Sequence, residues 1–314
     1  MKTHNFLFHR VHPHRDPFWD PMDPVLFERC IQYISSKYRV VLLEDLVESK
    51  INDCKPLKGI ATISFDDGYK DNLEYAAPVL EKYHCKASFY VVTDCIEYNR
   101  LTWTHLLEHA FLHTRIKTID MNFSFLPASL RINKLDSRNE RISYLNRLKP
   151  FLRIAAHVHR MEVIARVTET FKDVVFPQMM MSWEDLRQLK SAGHYIGSHT
   201  VSHAVLNTMG DKQLVYNELF HSGKAIEKEL GYFPVSVSYP LGKFDDSTIQ
   251  LAQKAGYKMG VAVEQKPYDI QADNTFQIPR MELYNEPWWK TRLRMNNWIE
   301  RVKRIKGVLP RFYL

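Results

Sequence analysis

The chain has 314 residues, 25% of them charged and 45% hydrophobic, which excludes a disordered or fibrous protein and leaves room for one large domain or two small ones. A formal net charge of +7 and a pI near 9.0 raise the question of an anionic partner: nucleic acid, a membrane surface or an acidic glycan. The first apolar run, Phe6-Leu7-Phe8, stops too soon to be the core of a secretory signal, and no later stretch approaches the roughly 20 apolar residues of a spanning helix. The chain as given therefore reads as cytoplasmic, unless a leader was removed ahead of it. Cys30, Cys54, Cys85 and Cys95 form no CxxC pair, so reduced thiols without a metal role are expected.

In chain order, short apolar runs alternate with longer amphipathic stretches, the pattern of strands and helices in a largely parallel sheet. The strands expected are Asn5 to Val11, Arg39 to Leu43, Gly59 to Phe65, Ala87 to Val92, Tyr195 to Ser198, Val235 to Tyr239 and Met259 to Val263. A helix over Pro24 to Lys37 has Asp23 as N-cap and proline at its first position. Further helices are expected over Asp71 to His84, Ser182 to Ala192, Asp211 to Leu230 and Asp246 to Ala255. This alternation suggests a barrel-like α/β fold over residues 1–286. It lapses over about 96–180, a helical stretch rich in Arg, Leu and His that reads as an insertion with almost no strand signal.

Two motifs carry chemistry. In Ala61-Thr62-Ile63-Ser64-Phe65-Asp66-Asp67-Gly68, an apolar strand ends in adjacent carboxylates, at the sheet edge where α/β folds keep their active sites. Adjacent aspartates repel unless a cation or a shared proton relieves them, although the same residues also suit a polar turn. After the run Tyr195-Ile196-Gly197 comes Ser198-His199-Thr200-Val201-Ser202-His203, whose two imidazoles, joined by a carboxylate, would make an open metal site. His105, His109 and His113 share that spacing. They lie on one expected helix with no strand-end carboxylate nearby, which reads as a partly buried helix face.

Together these motifs resemble those of the polysaccharide deacetylases, the NodB-homology carbohydrate esterases. The resemblance covers Asn5 to Val47, Gly59 to Cys95 and Met181 to Leu283. It implies a distorted (β/α)7 barrel and metal-dependent removal of N- or O-acetyl groups from sugars, with Asp66 as base and Asp67, His199 and His203 as ligands of a divalent metal. Zinc suits that ligand set, as would cobalt, nickel or iron. Where the family's third motif carries an arginine, this chain has Ser238 in Val237-Ser238-Tyr239-Pro240-Leu241-Gly242. This resembles a Tyr-Pro-x-Gly branch in which an arginine late in the barrel, here Arg280, takes over and orients Asp66. No histidine follows His221 to serve as the usual C-terminal acid. The opening Phe6-Leu7-Phe8-His9 resembles a permuted branch in which His9 stands in, with His12 and His14 as neighbouring candidates. The Leu241 N–H is expected to hold the oxyanion. A silent glycan-binding module and a hydrolase of a non-sugar C–N bond are the rival readings. Trp103 and Trp183 are candidate sugar platforms.

Residues 287–314 hold eight basic residues against the single acid Glu300, a surplus of +7 that equals that of the whole chain. A diffuse nucleic-acid footprint is therefore not expected. Met295, Trp298, Ile299, Val302, Ile305 and Leu309 recur at helical spacing, so the tail is expected to form a basic amphipathic helix. It either packs on the barrel or touches anionic lipid, where a lipid-linked saccharide would be met.

Overall fold

The computed structural model describes residues 2–48 and 59–305; Cys54 and the end of the basic tail, including Lys306, Leu309 and Arg311, lie outside them. Seven parallel strands close into a barrel: β1 (Lys2–Phe8), β2 (Ile60–Phe65), β3 (Ser88–Val91), β4 (Tyr195–Ser198), β5 (Ser236–Ser238), β6 (Met259–Val263) and β7 (Ile278–Glu282). Closure is made by β1, which pairs with β2 from His4↔Ala61 to Phe8↔Phe65 and with β7 at Phe6↔Met281 and Leu7↔Glu282. The (β/α)7 architecture expected from the motifs is thus present.

The seventh staves differ, however. Among the described residues Arg39–Val40 pairs only with the start of β2 and lies outside the ring, whose last strand is β7. That strand escapes a reading by apolar runs because Pro279 and Arg280 interrupt it. Proline offers no N–H to a ladder, and a charge inside a barrel breaks the hydrophobic signal. The first strand ends at Phe8, so His9 begins the loop beyond it.

Around the ring lie α1 (Pro24–Lys37), α2 (Trp103–His113), α3 (Arg138–Ile154), α4 (His157–Thr170), α5 (Trp183–Ser191), α6 (Lys212–Leu230), α7 (Asp246–Ala255), α8 (Trp288–Met295) and α9 (Trp298–Ile305). Asp23 caps α1 by accepting from the Val25 N–H, and the capping box of α5 pairs Ser182 with Asp185. The helix expected over Asp71 to His84 is instead a π-turn, Asn72–Ala76, followed by Ala77–Lys82, because Pro78 lacks the N–H that would continue a regular ladder. The basic tail is likewise two short helices, broken where Asn297 turns left-handed, with Met295 buried in the main core.

A short helix, Leu43–Glu48, plugs the N-terminal mouth of the barrel. Leu43 and Leu46 pack there with Ile60, Met259, Val261 and Ile278. Residues α2 to α4 build a second core around Leu107, Phe111, Tyr144, Leu148 and Val167, and this region holds a small antiparallel pair, Thr118–Asp120 with Ile132–Lys134, that periodicity did not signal. That core reaches Phe18, Val205 and Leu241, which come from three loops at the C-terminal rim of the barrel.

Packing is close at Gly197 of β4, where a Cβ would stand 2.5 Å from Tyr90 Cδ1. Gly197→Ala is expected to cost about 1–3 kcal/mol of stability, read as a lower urea midpoint at unchanged m-value.

Candidate active site

The parallel register of β1 and β2 sets the loop residues after Phe8 and Phe65 side by side, and the Asp66 N–H donates to Phe8 O at 3.2 Å. Asp66 is 1% exposed. Arg280, fully buried on β7, grips it with two parallel hydrogen bonds, Nη1 to Oδ1 and Nη2 to Oδ2, both 2.7 Å. Ser238 stands in the notch of this pair: its Oγ accepts from Arg280 Nη2 at 2.7 Å and donates to Asp66 Oδ2 at 2.9 Å. Burial pushes the Asp66 carboxyl up, but the Arg280 charge outweighs it and holds the group below the usual carboxylate range.

The network extends past the residues that the motifs indicate. The Arg280 guanidinium lies 5.2 Å from the centroid of the Tyr90 ring, and Tyr90 OH donates to Glu44 at 2.9 Å. Glu44, from the helix that plugs the barrel, also accepts from Ser88 at 2.6 Å and Ser236 at 2.7 Å. Sequence offers no signal for Glu44, an acid on a short helix far from either motif.

Asp67, His199 and His203 form the one group among the described residues with metal-ligand geometry, their donor atoms all within 4.8 Å of one another. Asp67 Oδ1 faces His199 Nε2 at 3.4 Å and His203 Nε2 at 3.3 Å, yet although buried it has no hydrogen-bond partner among the described residues. His199 Nδ1 is 2.8 Å from Ser238 O, a bond that makes Nδ1 the donor and leaves the Nε2 lone pair facing Asp67. Burial lowers His203 to about 4, which keeps it neutral as a ligand must be. An orphaned carboxylate oxygen among two imidazole lone pairs fits a divalent cation. His105 instead bonds Tyr69 OH at 3.0 Å inside the fold, and His109 and His113 stack on each other at the surface.

Backbone strain concentrates here. Asp67, Thr200, His203 and Leu241 all have positive φ, at 78°, 68°, 61° and 55°, a conformation non-glycine residues avoid unless the surroundings impose it. For the His199–His203 loop the restraint comes from Glu218 of α6, whose carboxylate accepts from the N–H groups of Val201 and Ser202 and from Ser202 Oγ, at 3.0, 2.9 and 2.6 Å. On its other side Trp103 donates its indole N–H to His203 O at 3.2 Å. Trp103 is therefore buried support, and the Trp183 indole is engaged with Glu97 at 2.7 Å.

His9 stands at the same rim, with Nδ1 3.4 Å from Glu282 Oε1 and its ring edge-on to Trp19 at 4.5 Å. It lines a small cleft with Trp19, Leu283 and Tyr284, whereas His12 and His14 pack on each other away from that cleft. Leu241 lies in the turn Pro240–Gly242, three residues from the Ser238 carbonyl that orients His199. Asp66, Asp67, Arg280, His199 and His203 thus come together in one buried cluster, with His9 and Leu241 on loops beside it.

Residues 54–260 match the family model for polysaccharide deacetylase. The chain belongs to the polysaccharide deacetylase family. YxkH of Bacillus subtilis, named for the same family, is 23% identical over 221 residues, which are 68% of this chain and 47% of YxkH, so the match spans about half of that relative. Among solved structures, the Streptococcus pyogenes deacetylase PplD in complex with acetate superposes with a TM-score of 0.62 at 17% identity, covering 96% of this chain and 97% of that one. A de-N-acetylase of Aggregatibacter actinomycetemcomitans gives 0.59 at 16% identity, covering 94% of this chain and all of its own, 100%. These deacetylases share the fold of this chain.

Two expectations follow from the geometry. Arg280→Met leaves a buried carboxylate without its counter-charge and is expected to cost about 3–5 kcal/mol at neutral pH. In the metal-free wild type, whose Asp66 titrates low, that residue stabilises the fold above its unfolded pKa and ceases to as pH falls; in Arg280→Met the shift of Asp66 reverses, so the stability lost relative to wild type should grow as pH rises from acid to neutral. Thermal unfolding across that range checks the sign. Glu218→Ala frees the ligand loop and should weaken Zn²⁺ binding about 10–100-fold, measured by calorimetric titration.

Proposed function

We propose that the chain is a metal-dependent hydrolase that removes N-acetyl groups from a glycan or glycan precursor. The observation that carries this reading is a carboxylate held ionised by Arg280 and Ser238, one residue away from an Asp-His-His cation site in a polysaccharide deacetylase barrel. Asp67, His199 and His203 would hold the metal, with zinc favoured by two imidazoles and one carboxylate over cobalt, nickel or iron. Bound there, it supplies Lewis acidity toward the acetyl carbonyl and lowers the pKa of the attacking water.

Asp66 is the base. It accepts three hydrogen bonds on about four lone-pair sites, which leaves room for one proton from water. Its pairing with Arg280 keeps it ionised and fixed in direction before the reaction begins. His9, with Nδ1 turned to Glu282, protonates the departing amine nitrogen. The Leu241 N–H, in its left-handed turn, donates to the oxyanion.

Acetate release from an N-acetylhexosamine glycan tests this. Purified Asp66→Asn should keep its metal and lose activity by about 10²–10⁴-fold, whereas His203→Ala should lose both. His9→Ala should slow turnover and shift the alkaline limb of the rate profile. Wild-type turnover by Asp66→Asn, or release that a chelator leaves untouched, would refute the assignment.

A further inference from the structure

The basic tail turns one side toward the barrel and the other toward solvent. On the inner side Trp288 meets Tyr33 edge-on at 5.9 Å and lies under the Arg29 guanidinium at 5.0 Å. Met295 is fully buried, and Arg294 is bound to Glu286 at 2.8 Å. The outer side carries Trp289, 65% exposed, Leu293, 40%, Trp298, 53%, and Val302, 44%. Trp289, Leu293 and Trp298 share the wall of a cavity of about 540 Å³ with the cations Lys37 and Arg292. Two large indoles and two aliphatic side chains presented together to water are costly, and such patches mark interaction surfaces.

We propose that this face docks on an anionic lipid bilayer. Tryptophan belongs at the headgroup level, and Leu293 and Val302 suit the acyl boundary beneath it. Lys37 and Arg292 stand on the patch itself, which makes it complementary in sign to acidic headgroups, each nearby cation adding to the attraction. An anionic polysaccharide would also meet the cations and stack on indoles, but it would leave the two aliphatic side chains without a partner, which favours lipid. α8 starts just after Leu283 and Tyr284, which line the His9 cleft, and its outer face lies beside Tyr33 and Lys37 at the far end of α1.

Because Met295 belongs to the main core, cutting the tail off would damage the barrel, so point substitutions on the outer face are the cleaner probe. The full chain is sedimented with phosphatidylcholine vesicles and with vesicles in which phosphatidylglycerol replaces part of that lipid. The acidic vesicles should bind about tenfold more tightly or better, and added salt should weaken them. The double variant Trp289→Ser, Leu293→Ser and the single variant Arg292→Glu should each lose about tenfold in vesicle affinity while keeping the wild-type unfolding temperature. Equal binding to both kinds of vesicle, undiminished binding by the double variant, or retention on an acidic polysaccharide by a chain that ignores vesicles would overturn the proposal.

Discussion

A guanidinium and a carboxylate sealed inside a barrel must satisfy each other, and the pairing of Arg280 with Asp66 governs the interior of this one. Taking two such charges out of water costs several kcal/mol per ion, offset only where geometry is excellent and the remaining donors are engaged. Here the fork is bidentate, Ser238 and Ser64 take up its flanks at 2.7 and 3.3 Å, and Nε reaches toward Ala262 O at 3.4 Å. Small residues at positions 64 and 238 are what leave space for the arginine to cross. Tyr90 then offers its ring face to the cation and its hydroxyl to Glu44, so the polar column runs from the catalytic rim down to the plug.

The ligand loop obeys a different constraint. Its backbone is strained at Thr200 and His203, and the strain persists because Glu218 and Trp103 hold it from two sides. Trp103 belongs to the helical region between β3 and β4, which is thereby bound to the His199–His203 loop as well as to the rim. Arg160 strengthens the same junction: buried without a carboxylate partner among the described residues, it bonds Leu152 O, Ala155 O and Thr208 Oγ1 at 2.8–2.9 Å and stacks over Trp103 at 5.4 Å.

Much of this was legible in the sequence because the motifs sit at strand ends, where apolar runs stop abruptly at acids or histidines. The alternation of elements indicated the barrel, and the cap at Asp23 and the expected helix start at Ser182 lay close to the helix starts observed. What periodicity missed has a common cause, since β7 and the Leu43–Glu48 plug place charged residues where a hydrophobic pattern expects apolar ones. The split of the Asp71 to His84 helix turns on a single missing N–H at Pro78. Glu218 and Glu44 were invisible because their partners lie in other elements, and nothing local distinguishes them from solvated acids.

The order of the strands along the chain gives the central ion pair a temporal meaning. Asp66 follows the second strand and Arg280 rides on the last, a separation of 214 residues. During synthesis the carboxylate exists long before its partner emerges, and a barrel lacking β7 would have to bury an unmatched charge or stay open. The ring can therefore seal only after β7 has been made, by a pairing of its first and last strands that is costly in loop entropy and slow to form. A truncated or stalled product should be recognisable to quality control by its open seam, and the hydrolytic centre can assemble only in a chain whose final strand has arrived.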